Sequence, residues 1–285
     1  MLKTVSLVTF ALLAFAGNSV LCRIALKGDA IDAASFTSIR LFSGIIFLII
    51  LVSLKNKNAV NFKKGNWLTA GFLFLYALAF SYSYISIDAG TGALILFGTV
   101  QVTMIIYNLF TGHKLAPLEW LGLMIAFSGL LLFLLPGASS PSLIGFALMV
   151  ISGIAWAFYT LAGRASKTPL MDTTNNFLRT LPFLAVVTLL TYNNIEITNH
   201  GIVLAIISGA VTSGLGYAIW YAALTGLTVT QAAIIQLTVP IIAAFGGVLF
   251  ANEAISFSLI LSSALVLGGV LVVILTPKSA SKKPN

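Results

Sequence analysis

Charge is scarce in this chain: only 8% of its 285 residues are Asp, Glu, Lys or Arg. No soluble domain of this length could cover its apolar surface with so little polar material. Acid is rarer than base, seven against fifteen, for a net charge of +8. No basic patch on a soluble module carries that excess, so nucleic acid is excluded as a partner. The single cysteine, Cys22, excludes an intrachain disulfide framework. The two histidines, His113 and His200, fall in connections on opposite membrane sides and cannot share a metal. No Gly-rich loop ends in Gly-Lys-Ser or Gly-Lys-Thr, which argues against ATP hydrolysis. No pair of carboxylates lies at mid-membrane depth, which argues against an intramembrane hydrolase or an acidic proton relay. The chain therefore calls for no cofactor and no metal, and catalysis is not expected.

What is present is apolar: 59% of residues are hydrophobic, with a mean hydropathy of +1.06. Apolar runs predict ten membrane spans near 4–22, 33–53, 67–86, 90–111, 117–135, 142–163, 173–192, 201–222, 228–250 and 256–276. Breaks with turn chemistry separate them at Lys55 to Asn58, Pro136 to Pro141 and Asn193-Asn194. Weaker breaks fall around Asp88 to Gly92 and Thr225 to Gln231. Sliding the sequence onto itself by 139 positions superposes Arg40 on Arg179, Ala93 on Ala232, Ile95 on Ile234, Thr99-Val100 on Thr238-Val239 and Gly129 on Gly268. The unit is a five-span repeat, residues 1–139 and 140–278, followed by a short basic tail, 279–285. An odd number of spans inverts the second copy in the bilayer, the arrangement of many alternating-access carriers. The expected fold is an all-α polytopic membrane protein with ten transmembrane helices, two inverted five-helix repeats around a central cavity.

The connections sort by charge. On the N-terminal side lie Lys3, Lys55, Lys57, Lys63, Lys64, Lys114, Arg164, Lys167, Lys278, Lys282 and Lys283, with Glu119 and Asp172 the only acids. Opposite lie Arg23 and Lys27 with Asp29, Asp32, Asp88, Glu196 and Glu253. This bias predicts cytoplasmic N- and C-termini, in the inner (plasma) membrane of a bacterium. Ala14-Phe15-Ala16 resembles a signal-peptide cleavage site, but cleavage there would leave the first repeat one span short.

Within the spans, polar and aromatic residues recur at helical spacing: Phe15, Asn18 and Cys22; Phe97, Gln101, Met104 and Asn108; Trp156, Tyr159, Thr160 and Gly163; Ser213, Tyr217, Trp220 and Tyr221; Gln231 and Gln236. Facing lipid they would be unsatisfied, so these faces point inward. Interhelical hydrogen bonding alone would account for any one of them. Together they nominate a substrate cavity of Asn18, Gln101, Trp156, Tyr159, Tyr217, Trp220 and Gln236. Arg40 and Arg179, the charges clearly within spans, are expected at the two cavity mouths, either snorkelling to headgroups or attracting an anionic group such as a carboxylate. Pro240 is expected to kink the ninth span and to free the Gln236 carbonyl, as packing or as part of a gate. Ala205, Gly209 and Ser213, with Gly122, Gly129, Gly268 and Gly269, form small-residue faces for close helix contact, within the chain or in a homodimer through the fifth and tenth helices.

The five-plus-five layout, the stretch Ser38-Ile39-Arg40-Leu41, the run Gln236-Leu237-Thr238-Val239-Pro240 and the turn Asn252-Glu253-Ala254-Ile255-Ser256 before Gly268-Gly269 resemble the drug/metabolite transporter superfamily, in its form with two EamA-type domains. Gln101 and Lys114 depart from that family's common proline and glutamate. The resemblance implies a basket of helices around a cavity that moves small organic metabolites, often outward. The expected function is thus a secondary transporter of small organic, amino-acid-like solutes, an exporter working by alternating access, with the lipid bilayer and the small-molecule substrate as partners. The alternatives are a non-transporting membrane partner, an intramembrane enzyme or a channel; the last would need a charged ring or filter motif that is absent.

Overall fold

The computed structural model describes residues 2–55, 65–111, 115–132, 141–163, 166–224 and 235–276. Among them there is no strand, and the helices are α1 (Leu2–Lys27), α2 (Ala33–Lys55), α3 (Trp67–Tyr84), α4 (Ala89–Phe110), α5 (Pro117–Leu131), α6 (Leu143–Gly163), α7 (Pro169–Leu178), α8 (Leu181–Thr191), α9 (Asn199–Ile206), α10 (Gly216–Leu224), α11 (Val239–Ala251) and α12 (Phe257–Leu275). Six helical stretches are long and apolar enough to cross a membrane unaided. The eighth pass, α9 and α10 with the segment between them, is one of these six; α5 and α11 are shorter apolar helices, α7 and α8 share the seventh pass, and α11 forms the described part of the ninth. The breaks at Asn56 to Lys64, Pro136 to Ser140 and Thr225 to Gln231 lie outside the described residues.

Helix ends follow local chemistry. α1 runs five residues beyond its predicted end, because nothing stops it before Gly28 and the left-handed Asp29 (φ 49°). Asn66, Thr198 and Ser256 cap α3, α9 and α12 with side-chain oxygens that accept from Leu68, Gly201 and Leu259 N–H groups. Asp32 Oδ1 accepts from Ser35 N at 2.9 Å, and Glu119 Oε2 from Ala116 N at 2.7 Å. The turns before α2 and α9 are joined by an isolated antiparallel bridge between Ile31 and Ile197.

Two prolines start helices, against the expectation for Pro240. Pro240 does not kink a helix interior. Residues 235–236 are helical, Leu237 and Thr238 form a turn, and Pro240 is the second residue of α11. There its missing N–H costs nothing, because a first-turn donor has no intrahelical partner. Pro182 occupies the same place in α8, and Arg179-Thr180 form the break between α7 and α8. The eighth pass departs further: Ile207–Leu215 is a nine-residue π-helical segment between α9 and α10. A wide segment of this length is rare and is met mostly at functional sites.

Small residues and hydroxyls set the closest helix contacts. Gly122 of α5 meets the Gly269 carbonyl and Val273, and Gly129 meets Leu265 and Val266, so these small faces are used within the chain, while Gly268 meets nothing within 4 Å. Gly90 at the start of α4 lies on Ala244 of α11. Gly44 of α2 lies against Phe177, and Ser38 Oγ is 3.5 Å from Thr188 Oγ1. α3 and α6 are tied by hydrogen bonds from Ser83 Oγ to Gly145 O (2.7 Å) and from Ser152 Oγ to Tyr76 O (3.0 Å). α1 packs along the eighth pass through Gly17 on Thr212 and Phe15 on Tyr217 and Trp220.

Candidate functional site

A cavity lies between α1, α3, α4, α6 and the eighth pass, walled by Phe15, Asn18, Ser19, Tyr76, Phe80, Leu96, Phe97, Trp156, Thr212 and Tyr217. Its free volume is about 20 Å³, room for roughly one water molecule. The rings close on one another: Trp156 lies 4.6 Å from Tyr76 and 5.1 Å from Tyr217, centroid to centroid, and stacks on Tyr159 at 5.4 Å. Asn18 organises the polar side. Its Oδ1 accepts from Ser208 Oγ (2.6 Å) and Thr212 Oγ1 (3.2 Å), and its Nδ2 faces Tyr76 Oη at 3.5 Å. Both hydroxyl donors sit on the π segment, so the widened turn feeds side chains at uneven spacing onto one amide.

Arg40 is not at a mouth. It is 1% exposed, about 10 Å along α2 from that helix's start at ~1.5 Å per residue. Its guanidinium donates from Nε to Ser213 Oγ (3.3 Å) and from Nη2 to Tyr76 Oη (3.2 Å). It rests over the rings of Phe80 (4.9 Å) and Tyr76 (5.4 Å). The close approach of the π segment keeps it there, since a side chain at Gly209 would overlap the Arg40 carbonyl oxygen and Ser43 Oγ. Its guanidinium turns to these inward partners instead of the headgroups. Arg179 differs: it ends α7, donates from Nη1 to Asn175 O (3.1 Å) and lies 5.7 Å over the Trp67 ring at the start of α3.

Of the residues nominated by sequence, Asn18, Trp156 and Tyr217 stand in the cavity wall. Tyr159 is one ring behind, on Trp156. Trp220 is turned to Ala11 and Phe15. Gln101 is buried on α4, and Gln236 is half-buried before α11; neither is a wall residue. Gln231 and Tyr221 fall where side chains are not described. Tyr76 and Phe80 were missed, although Tyr76, Phe80 and Tyr84 at steps of four form an aromatic stripe on α3.

Arg23, expected in a connection, is a helical and buried residue instead. At the end of the bundle where α1 finishes, it clasps two acids: Nη2 to Asp88 Oδ1 and Nε to Glu253 Oε1, each at 2.9 Å. Its Nη1 donates to the carbonyls of Tyr84 (2.9 Å) and Ile85 (3.0 Å). Glu253 is aimed inward by Asn252, whose left-handed conformation (φ 51°) ends α11. Its second oxygen accepts from Ala89 N at 2.9 Å, the first amide of α4. Burial pushes the Glu253 carboxyl above the ordinary range, against the pull of the Ala89 N–H and Arg23.

Ten helical passes around a buried aromatic and polar cavity define an all-α polytopic membrane protein. Residues 143–275 match the EamA-like transporter family. The chain is 49% identical over 272 residues to an uncharacterized protein of Pseudomonas aeruginosa, covering 95% of this chain and 94% of that one. It is 24% identical over 284 residues to an uncharacterized transporter of Archaeoglobus fulgidus, covering 94% and 96%. A solved crystal structure, 16% identical, has the same fold with a TM-score of 0.65, over 93% of this chain and 97% of that one. Residues 143–275 thus carry an EamA-like transporter domain, and the chain is a membrane transporter.

Proposed function

We propose that the protein is a secondary carrier of small organic solutes of amino-acid-like size, working outward by alternating access around the Asn18–Trp156–Tyr217 cavity. The observation that carries this reading is the cavity itself: polar groups and aromatic faces gathered from five passes, with too little volume for a metabolite and a clasp across one end. A site of this kind accepts solute only when helices part, which is a carrier's cycle and not a pore's. The antiparallel packing of α2 with α7 and α8, α4 with α11, and α5 with α12 supports a two-fold relation, in the membrane plane, between residues 1–139 and 140–278. On this reading the basic loops place both termini in the cytoplasm of a bacterial inner membrane, and the Arg23 clasp closes the outer end.

The test is flux of labelled solutes in proteoliposomes. Saturable uptake that is accelerated by unlabelled solute on the far side is expected. Non-saturating flux would identify a channel, and absence of flux for every solute would overturn the reading.

A further inference from the structure

We infer that Arg40 is the anchor for a monoanionic carboxylate on the transported solute. The inference rests on the carrier reading above and names its substrate class. Arg40 is a full positive charge at membrane depth, 1% exposed, and its Nη1 is buried with no hydrogen-bond partner. A guanidinium carries five donors in one plane and cannot shed its proton. The protein satisfies the charge with two hydroxyl oxygens and two ring faces, all of them neutral.

No acidic side chain serves as its counterion. All seven acids are described, and each sits in a connection or the first turn of a helix: Asp29, Asp32, Asp88, Glu119, Asp172, Glu196 and Glu253. Asp88 and Glu253 belong to Arg23. Asp32, two turns from Arg40, accepts from the backbone N–H groups of Ser35 and Glu196. A buried charge without an opposite charge is costly, and one that is retained at such depth marks a ligand or transport site. Arg40 also touches the cavity wall directly, since Tyr76 and Phe80 belong to both. Parting the Tyr76 and Trp156 rings, which must happen for any solute to enter, therefore opens the cavity beside the guanidinium.

The charge count selects the anion. One cation with one unpartnered nitrogen matches a carboxylate of charge −1, one oxygen of which accepts from Nη1 and the other from the remaining hydrogen of Nη2. A phosphate monoester dianion would leave a buried excess negative charge. The walls of Phe15, Phe80, Trp156 and Tyr217 then take an apolar or aromatic remainder.

The test uses the purified full-length protein and thermal shift with the twenty common L-amino acids, their 2-oxo acids, the carboxamide of each, and sodium chloride. Carboxylates are expected to raise Tm, and every active one should bind at least tenfold more weakly as its carboxamide. Arg40→Gln should abolish the shift and Arg40→Lys should retain a weakened one. The carboxamide comparison on the wild-type protein stands on its own, whether or not Arg40→Gln folds. Carboxamides that bind as well as their acids, a response to chloride alone, or no response to any carboxylate would each overturn the assignment. Saturable counterflow of neutral solutes would leave the carrier reading intact while removing Arg40 from it.

Discussion

The Arg23 clasp divides unequally between its two acids, and that inequality is measurable. The Glu253 side chain is 4% exposed and that of Asp88 48%. Glu253 also satisfies the Ala89 amide, which Asp88 does not. Truncation by Glu253→Ala strips a buried guanidinium of its inner partner and orphans a helix-terminal N–H, a loss of about 3–5 kcal/mol. Asp88→Asn removes a half-exposed partner, worth about 0–1 kcal/mol. Glu253→Gln keeps an acceptor for Ala89 and removes a charge that burial already disfavours, so it should cost far less than Glu253→Ala. If the clasp holds the ends of α1, α4 and α11 together, these differences appear as local opening. The Gly92 amide, bonded to Asp88 O at 2.8 Å, reports it by hydrogen exchange. Glu253→Ala should speed that exchange by roughly two to three and a half decades, at ~1.4 kcal/mol per decade. Asp88→Asn should change it by less than about one decade. Equal effects from the two, or a larger one from Asp88→Asn, would refute the assignment of Glu253 as the inner partner.

Three further outcomes are expected. Glu253 has its pKa raised by burial in the closed clasp, so closure is favoured most below the ordinary carboxylate range and the advantage is lost as pH rises through the raised pKa; protection of the Ala89 amide, corrected for intrinsic exchange, should be greatest at the acid end, and protection that declines on acidification would contradict this. Gly209→Ala should fail to give monodisperse protein, because the new methyl overlaps the Arg40 carbonyl, whereas Gly268→Ala, with nothing within 4 Å, should behave as wild type by size exclusion. Asn18→Leu should lower Tm measurably, since it leaves the hydroxyls of Ser208 and Thr212 without their shared acceptor, at about 1–3 kcal/mol; an unchanged Tm would show that the amide does not organise the polar side of the cavity.

The passes were legible because lipid demands long apolar runs, and the ends because Gly28, Asn66, Pro117, Thr198 and Ser256 carry their capping chemistry locally. The interior was legible only as helix faces. Spacing puts Asn18 and Phe15 on one face of α1, but nothing along the chain says that Tyr76 stands opposite. Arg40 and Arg179 look equivalent as repeat partners, yet α2 is pressed against a π segment at Gly209 while Arg179 terminates a broken helix. Pro240 was visible as an interruption, but whether a proline kinks a helix or starts one depends on the residues before it. The Arg23 clasp was hidden because its members are 65 and 230 residues apart and the first helix was expected to end at residue 22, just before Arg23.

Reciprocal motion of the two ends tests the central claim most directly. In a Cys22→Ala background, spin labels at Ile85 and Ala254 span the clasp end, and labels at Thr111 and Ala222 span the other. In proteoliposomes, addition of a transported solute should lengthen one distance distribution while shortening the other, in the same molecules that show counterflow. Distances that lengthen together, or that stay fixed while solute passes, would contradict a carrier that opens its cavity to one side at a time.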